Sequence, residues 1–500
     1  MNNKPQFSNR WGLIFAALGM AIGAGNLWRF PRLAGQYGGT FILLWIVFLL
    51  VWSIPILMAE FSMGKVQQKG VIGAFAKTAG RRFTWMGFFI AVCTLGITFY
   101  YSVVTGWGLR YFGFSLSTLF SKGPDLAEQL ATNPNLLENY WKGVSTGNIG
   151  SVVLHIVAVA LAAFVLIQGV QKGFEKANKI LIPVLFVLLV FISGMALSMG
   201  NGIRGLQYMF TIDPALFRNP TVWIEALSQS AWSTGAGWGL IMTIASYSRK
   251  REDVSLNIFI GAFGNNAASL LAGMAVLPAV FALAATDAEA IGYLKTGNYA
   301  LTFNVIPQLF AQVTGGAVLS AVFFGAFFLA AFSSLLSLTE LLIRLLTDLG
   351  ISRAGAVVRG TIICGLLGVP SALSLEFLSN QDWVWGIGLV ISGLFIVFAV
   401  WRHDLKNGIM NFKKTFIDPD SDIKVPNVYF LACMVVNIPL AVILIYWWMS
   451  AGYDANPWFT EAGTWNLMGT YSNATIVTQW GLVLLAGILL NNYLYKKFTK

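Results

Sequence analysis

Twelve long apolar runs recur along this chain, near 11–35, 40–62, 84–112, 150–168, 174–200, 222–248, 254–281, 315–346, 354–374, 383–401, 427–449 and 475–495. A bilayer core of about 30 Å is crossed by about 20 apolar residues of helix. Only a helix or a closed barrel can satisfy its backbone there without water. Charged residues make up 11% of the 500, against about a quarter in a soluble domain, so no stretch can coat several globular units with charge. The runs predict an all-α polytopic membrane protein whose two termini share a side.

The basic residues orient it. With the N-terminus inside, 24 of the 32 Lys and Arg fall on cytoplasmic tails and loops; Arg29, Arg32, Arg110, Lys122, Lys142, Arg204, Arg218 and Lys295 are the remainder. That bias follows the enrichment of Lys and Arg in cytoplasmic loops. It predicts a plasma (inner) membrane protein with cytoplasmic termini, and accounts for the net charge of +11 without nucleic acid. The lipid bilayer is the expected partner, and no obligatory protein partner is evident.

Three cysteines (Cys93, Cys364, Cys433) make no disulfide framework, and two histidines (His155, His403) leave little for a metal centre. The sequence holds no phosphate-cradling Gly-x-x-x-x-Gly-Lys-Ser/Thr motif, and no nucleophile–base pair emerges from the spans. An ATP-driven pump and an enzyme are both disfavoured. A cleaved signal peptide is disfavoured too, since the first run continues into Arg29-Phe30-Pro31-Arg32 without a small-residue exit. Long loops near 113–149 and 282–314 are expected to cap an external mouth, and the mixed-charge loop 402–426 to be solvated.

Spans one and six are interrupted alike. The first contains Gly19-Met20-Ala21-Ile22-Gly23-Ala24-Gly25-Asn26, the sixth Ser233-Thr234-Gly235-Ala236-Gly237-Trp238-Gly239. Each interior Gly costs up to about 1 kcal/mol relative to Ala, so local unwinding is expected. Small-xxx-small spacing such as Gly19/Gly23 also serves close helix packing, and either segment alone would fit that use. Five spans apart and entering from opposite sides, they sit where an inverted repeat requires. Paired interruptions of this kind point to a transporter's central site.

Trp11-Gly12-Leu13 through Gly23-Ala24-Gly25-Asn26-Leu27-Trp28-Arg29-Phe30-Pro31, then Gly38-Gly39, resembles the first-helix signature of the neurotransmitter:sodium symporter family, in its bacterial amino-acid-carrying form. Glu60-Phe61-Ser62-Met63-Gly64, Tyr100-Tyr101, Ala245-Ser246-Tyr247 and Ser333-Ser334 follow in family order. The likeness covers spans one to eight and part of ten; eleven and twelve match by hydropathy only. It implies two inverted five-helix repeats (11–200 and 201–402) after a tail (1–10), then a cytoplasmic loop (403–426) and two peripheral helices with the C-terminal tail (427–500). Helices one and six would be unwound mid-membrane. The implied activity is sodium-coupled uptake of a neutral amino acid by alternating access, at a midplane site between helices one, three, six and eight.

The same resemblance implies the sites. A first sodium ion would take Ala21, Asn26, Ser233 and Asn265 with the substrate carboxylate; a second would take Gly19, Ile22, Ala330, Ser333 and Ser334. Chloride would meet Gln229, Ser233 and Ser269, with Trp45 where the family has Tyr. Trp45 either offers its indole N–H to the anion or plugs the site. Substrate would be held by Ala21, Ala24, Gly25, Tyr101 and Ser233, its side chain among Ile97, Trp232, Gly235, Trp238, Ser334 and Leu338. Gly23 stands where monoamine carriers place Asp, so the substrate brings its own carboxylate. Arg29 with Asp382 would form the outer gate and Lys4 with Asp348 the inner one, while Gly173 and Pro183 would let span five unwind. Alternatives are a sodium-coupled carrier of a zwitterionic osmolyte or other carboxylated amine, and a non-cycling substrate-sensing receptor.

Overall fold

A computed structural model of the protein describes residues 5–500 except 122, 124–125, 146, 451–455 and 468. The described residues are helical apart from turns, loops and one isolated bridge, Phe459 to Trp465. Among the described residues, ten helices are long and apolar enough to cross a membrane. Spans one and six escape that criterion because each is broken, and counting them restores twelve. The first repeat of five spans is followed by an inverted second one, with two further helices, Asn427–Ser450 and Asn473–Phe498, outside them. The ends of the bundle are called outer and inner here according to the Lys/Arg distribution.

Spans one and two run on from each other as Ala24–Phe48, but the chain reverses at Gly38 (φ 57°, ψ −148°). Gly39 N donates to Thr211 O at 2.8 Å, and a side chain at 38 or 39 would meet the carbonyls of Thr211 and Phe210 at 2.9 and 2.5 Å. The Gly38-Gly39 pair is therefore required by a close backbone approach as well as by a left-handed φ. It seats the outer turn of the first hairpin on the helix Gly202–Phe210.

The long third span, Thr84–Phe120, lies against the eighth, Gly316–Asp348, through the middle of the bundle. At the outer end Leu136–Ser145 and the segment 298–311 are held by stacked aromatics. Trp141 lies 4.8 Å from Phe303 and 5.1 Å from Trp107. The described parts of both loops are largely helical and packed by these aromatics.

The inner loop differs from expectation. Residues 402–426 are folded rather than solvated, with Phe412 and Ile417 fully buried. Pairing makes that burial tolerable: Lys413 binds Asp418 at 2.8 Å, and buried Lys65 of span two binds Asp420 at 3.2 Å. Sequence reading sees the charges of a loop but not their partners, so it underrates the burial of such a segment.

Candidate functional site

Both interruptions are present. The inner half of span one, Arg10–Ala21, ends at Ile22 (φ −83°, ψ 101°), and helix resumes at Ala24 after extended Gly23. Asn26 Oδ1 accepts from Gly23 N at 2.9 Å and so caps the restart. Span six, Pro220–Thr234, passes Gly235 (φ 71°), Gly237 (φ 92°) and Gly239 (φ 71°) before Leu240–Ala245. Three left-handed residues so close together suit only glycine. The freed backbone is held by neighbours, as it must be at membrane depth. Gly237 N donates to Glu60 Oε1 at 2.7 Å, and Thr94 Oγ1 donates to Trp238 O at 2.6 Å.

Oxygen atoms gather at the breaks in two places. Ser334 Oγ lies 3.2 Å from both Gly19 O and Ile22 O and 3.3 Å from Met20 O; Ser333 Oγ lies 3.0 Å from Ala330 O and 3.5 Å from Ile22 O. All five residues expected for a second ion are thereby brought together. The other cluster centres on Asn265. Asn26 Nδ2 donates to Asn265 Oδ1 at 2.8 Å, which leaves that oxygen facing the carbonyls of Ala21 and Ser233 at 3.1 and 3.0 Å. Three oxygens without a proton between them repel unless a cation joins them. Turning the amide over supplies both carbonyls with a donor but sets the Asn26 and Asn265 nitrogens 2.8 Å apart. In that orientation the amide oxygen accepts from Ser233 Oγ at 3.0 Å. A hard monovalent cation would settle the first, by the oxygen preference of such ions.

A cavity of about 310 Å³ opens on these clusters. Of the expected substrate residues, Ala21, Gly25, Tyr101, Trp232, Ser233, Gly235, Trp238, Ser334 and Leu338 line it. Ala24 contributes its N–H to Tyr101 Oη at 2.9 Å. Ile97 is fully buried and lies outside the lining. A Cβ at Gly23 would stand 2.6 Å from Tyr101 Oη and 2.9 Å from Ser334 Oγ. No Asp fits there.

The gate residues are arranged otherwise than the sequence suggests. Arg29 and Asp382 both line the cavity but do not pair. Arg29 donates to Glu225 Oε2 at 2.9 Å and Ser228 Oγ at 2.8 Å, while Asp382 accepts from Tyr100 Oη at 2.7 Å. With the cavity standing between them, each has taken the partner on its own side. Lys4 lies outside the described residues; Asp348 instead binds Arg344 at 3.3 Å and caps Gly70 N at 2.7 Å. Gly173 sits in a π turn, Val170–Glu175, that runs on into Lys176–Ser198 with Pro183 inside it. Span five is thus wound here, not opened.

The chloride constellation is split. Ser269 accepts from Asn26 Nδ2 at 2.8 Å and Ser233 Oγ accepts from Asn265 Nδ2 at 3.0 Å. Trp45 Nε1 and both Gln229 amide atoms are buried with no hydrogen-bond partner among the described residues.

Four contributors were given no role at the site from sequence, although Glu60 stood in a quoted motif. Glu60 and Glu225 carried a signal, since a carboxylate inside an apolar run is expensive and therefore functional or paired. Thr94, and Asn178 against Gly19, carried none.

A model of the sodium:neurotransmitter symporter family matches residues 4–124 and 128–499. The chain belongs to that family. Among relatives of this symporter, the sodium-dependent transporter YhdH of Bacillus subtilis (strain 168) is 29% identical over 385 residues, covering 75% of this chain and 80% of its own length. The sodium-dependent neutral amino acid transporter B(0)AT2 of Bos taurus is 27% identical over 295 residues, 55% of this chain and 40% of that one. The crystal structure of MhsT in complex with L-phenylalanine superposes with a TM-score of 0.74 at 25% identity, covering 89% of this symporter and 99% of MhsT. This symporter is accordingly a multi-pass membrane protein of a sodium-dependent transporter family, and not an enzyme.

Proposed function

We propose that the symporter takes up a neutral amino acid with sodium by alternating access, from a midplane site between spans one, three, six and eight. The observation that carries this is the convergence of the Ala21 and Ser233 carbonyls on the Asn265 amide beside the cavity, where both helices break. Ala21, Asn26, Ser233 and Asn265 would hold one sodium ion against the substrate carboxylate, and Gly19, Ile22, Ala330, Ser333 and Ser334 a second. The Tyr101 hydroxyl and the amides of Ala24 and Gly25 would orient the carboxylate. Exclusion of any carboxylate at Gly23 supports a substrate that supplies its own. A chloride ion would find uncommitted N–H groups at Trp45 and Gln229.

The arrangement reads as outward-facing. The cavity reaches Asp382 and Tyr471 toward the outer end, whereas the inner end is laced shut. Glu175 accepts from Ser8 N at 2.9 Å and binds Lys179; Arg10 binds Glu252 at 3.1 Å; Arg353 binds Glu340 at 2.8 Å. Inward release would then need these contacts to part and the segment between Gly173 and Pro183 to loosen. We place the chain in the plasma (inner) membrane with both termini cytoplasmic, its repeats at 11–200 and 201–402.

The test is a thermal-shift screen of the purified protein with neutral amino acids, in sodium against potassium. Stabilisation by an amino acid in sodium alone supports the proposal; equal stabilisation in potassium overturns it.

A further inference from the structure

The inner half of span one is keyed into span five through two glycines. A side chain at Gly12 would fall on the carboxylate of Glu175. One at Gly19 would fall on Asn178, whose Oδ1 takes the place of the new carbon and whose Cγ stands 2.8 Å from it. Glu175 and Asn178 are three positions apart and both buried, so they meet span one from one side of span five. Glu175 is accounted for, since it clasps Ser8 and Lys179. Asn178 has no such partner in span one.

The Asn178 carboxamide is fixed at its other end. Its Nδ2 donates to Phe174 O at 2.9 Å, inside the π turn that begins span five. That bond leaves Oδ1 without a hydrogen-bond partner among the described residues. The oxygen lies in the direction a Gly19 side chain would take, so it meets the Gly19 Cα–H, a weak contact that recurs where helices approach closely. Ser333 Cβ of span eight stands 3.4 Å from the same place. Gly19 is thus held between spans five and eight. Its carbonyl, 3.2 Å from Ser334 Oγ, is one of the oxygens gathered at the second ion position. Groups packed behind a metal ligand orient it and tune its hold on the ion.

We infer that Asn178 is a positioning residue for sodium: its carboxamide packs behind Gly19 and fixes the direction of that carbonyl, so the second ion is held firmly only while span five is wound. This rests on the symporter reading above and adds to it a residue that touches neither ion nor substrate. Loosening of the segment between Gly173 and Pro183 carries Asn178 away from Gly19 and weakens the grip on the ion.

The test is equilibrium binding of radiolabelled sodium to the purified full-length protein, with ionic strength held constant by potassium and no amino acid added. The first ion then lacks the substrate carboxylate, so the second position dominates the curve. Asn178→Ala is expected to raise half-saturating sodium about tenfold, the lower end of what groups behind a metal ligand contribute. Thermal unfolding in potassium is measured beside it, because a merely structural loss lowers that temperature and leaves the sodium curve where it was. Gly19→Ala should weaken sodium binding through its clash with Asn178. Gly19→Ala combined with Asn178→Ala should recover it, the new methyl standing where the carboxamide stood. A wild-type sodium curve in Asn178→Ala, or in the milder Asn178→Ser should the first not fold, overturns the inference alone. A folded double variant no better than Gly19→Ala does the same. If the wild type binds no sodium, the symporter reading falls and the inference with it.

Discussion

The carboxylate of Glu60, in span two, accepts a hydrogen bond from the amide of Gly237 at 2.7 Å, in the middle of the unwound stretch of span six. A backbone N–H freed by a broken helix is thereby satisfied from a different helix, so the break depends on span two staying in place. Removing the acceptor exposes the cost of the break.

Glu60→Ala is therefore expected to destabilise the protein by about 1–3 kcal/mol, the penalty of a buried unpaired donor. Glu60→Gln keeps an oxygen at the same reach and should lose much less. Thermal unfolding of both variants in detergent checks this, and equal losses would refute the assignment.

At Gly23, adding a single methyl forces Tyr101 Oη or Ser334 Oγ to move, since each lies within 3 Å of the new carbon. Overpacking of this kind costs about 1–3 kcal/mol. Gly23→Ala should weaken sodium-dependent substrate binding by about tenfold, as read by titration. An unchanged affinity would mean the substrate does not lean on Tyr101.

Asn265→Ala removes one oxygen from the three that converge with Ala21 and Ser233. Interactions with a charged group are worth about 1.5–3 kcal/mol, so half-saturating sodium for substrate binding should rise at least about tenfold. A sodium curve superimposable on the wild type would remove Asn265 from the ion site.

In the proposed outer gate, Glu225 would hold Arg29 away from Asp382. Replacing it, Glu225→Gln, weakens the 2.9 Å pair and releases the guanidinium toward the other wall of the cavity. Bound substrate should then leave more slowly, because the outer mouth spends longer closed. Dissociation of radiolabelled substrate measures this; faster release would contradict the gate assignment.

On the proposed stoichiometry, two sodium ions carried inward with a neutral substrate would move two charges. Each gains about 2.3 kcal/mol per 100 mV, so together about 4.6. Uptake into proteoliposomes should accelerate under an inside-negative potassium diffusion potential. Indifference to that potential would show a compensating ion.

The breaks in spans one and six could be read from the sequence because glycine clusters oppose helix wherever they occur, and Gly235, Gly237 and Gly239 each adopt a φ that other residues avoid. The residues expected at the ion sites come from the family resemblance, and the structure brings their oxygens close together at the two breaks. Pairings were less accessible. Arg29 has two acids within its possible range, and which one it takes depends on how far the outer walls stand apart, a property of conformation and not of residue type. Likewise Lys65 and Asp420 are separated by 355 positions, and nothing local to either says that the loop folds under the bundle.

The amino-terminal end of the broken first span is clasped from two directions: Ser8 by Glu175 of the first repeat, and Arg10 by Glu252 beside the second. A rod hinged at Ile22, its tip tethered to both halves and the Phe7 N–H before it held by Tyr247 O at 3.0 Å, tilts only as those tethers part. On the proposed cycle, discharge to the cell interior would be a two-key lock, in which unfastening one clasp alone leaves the cargo trapped.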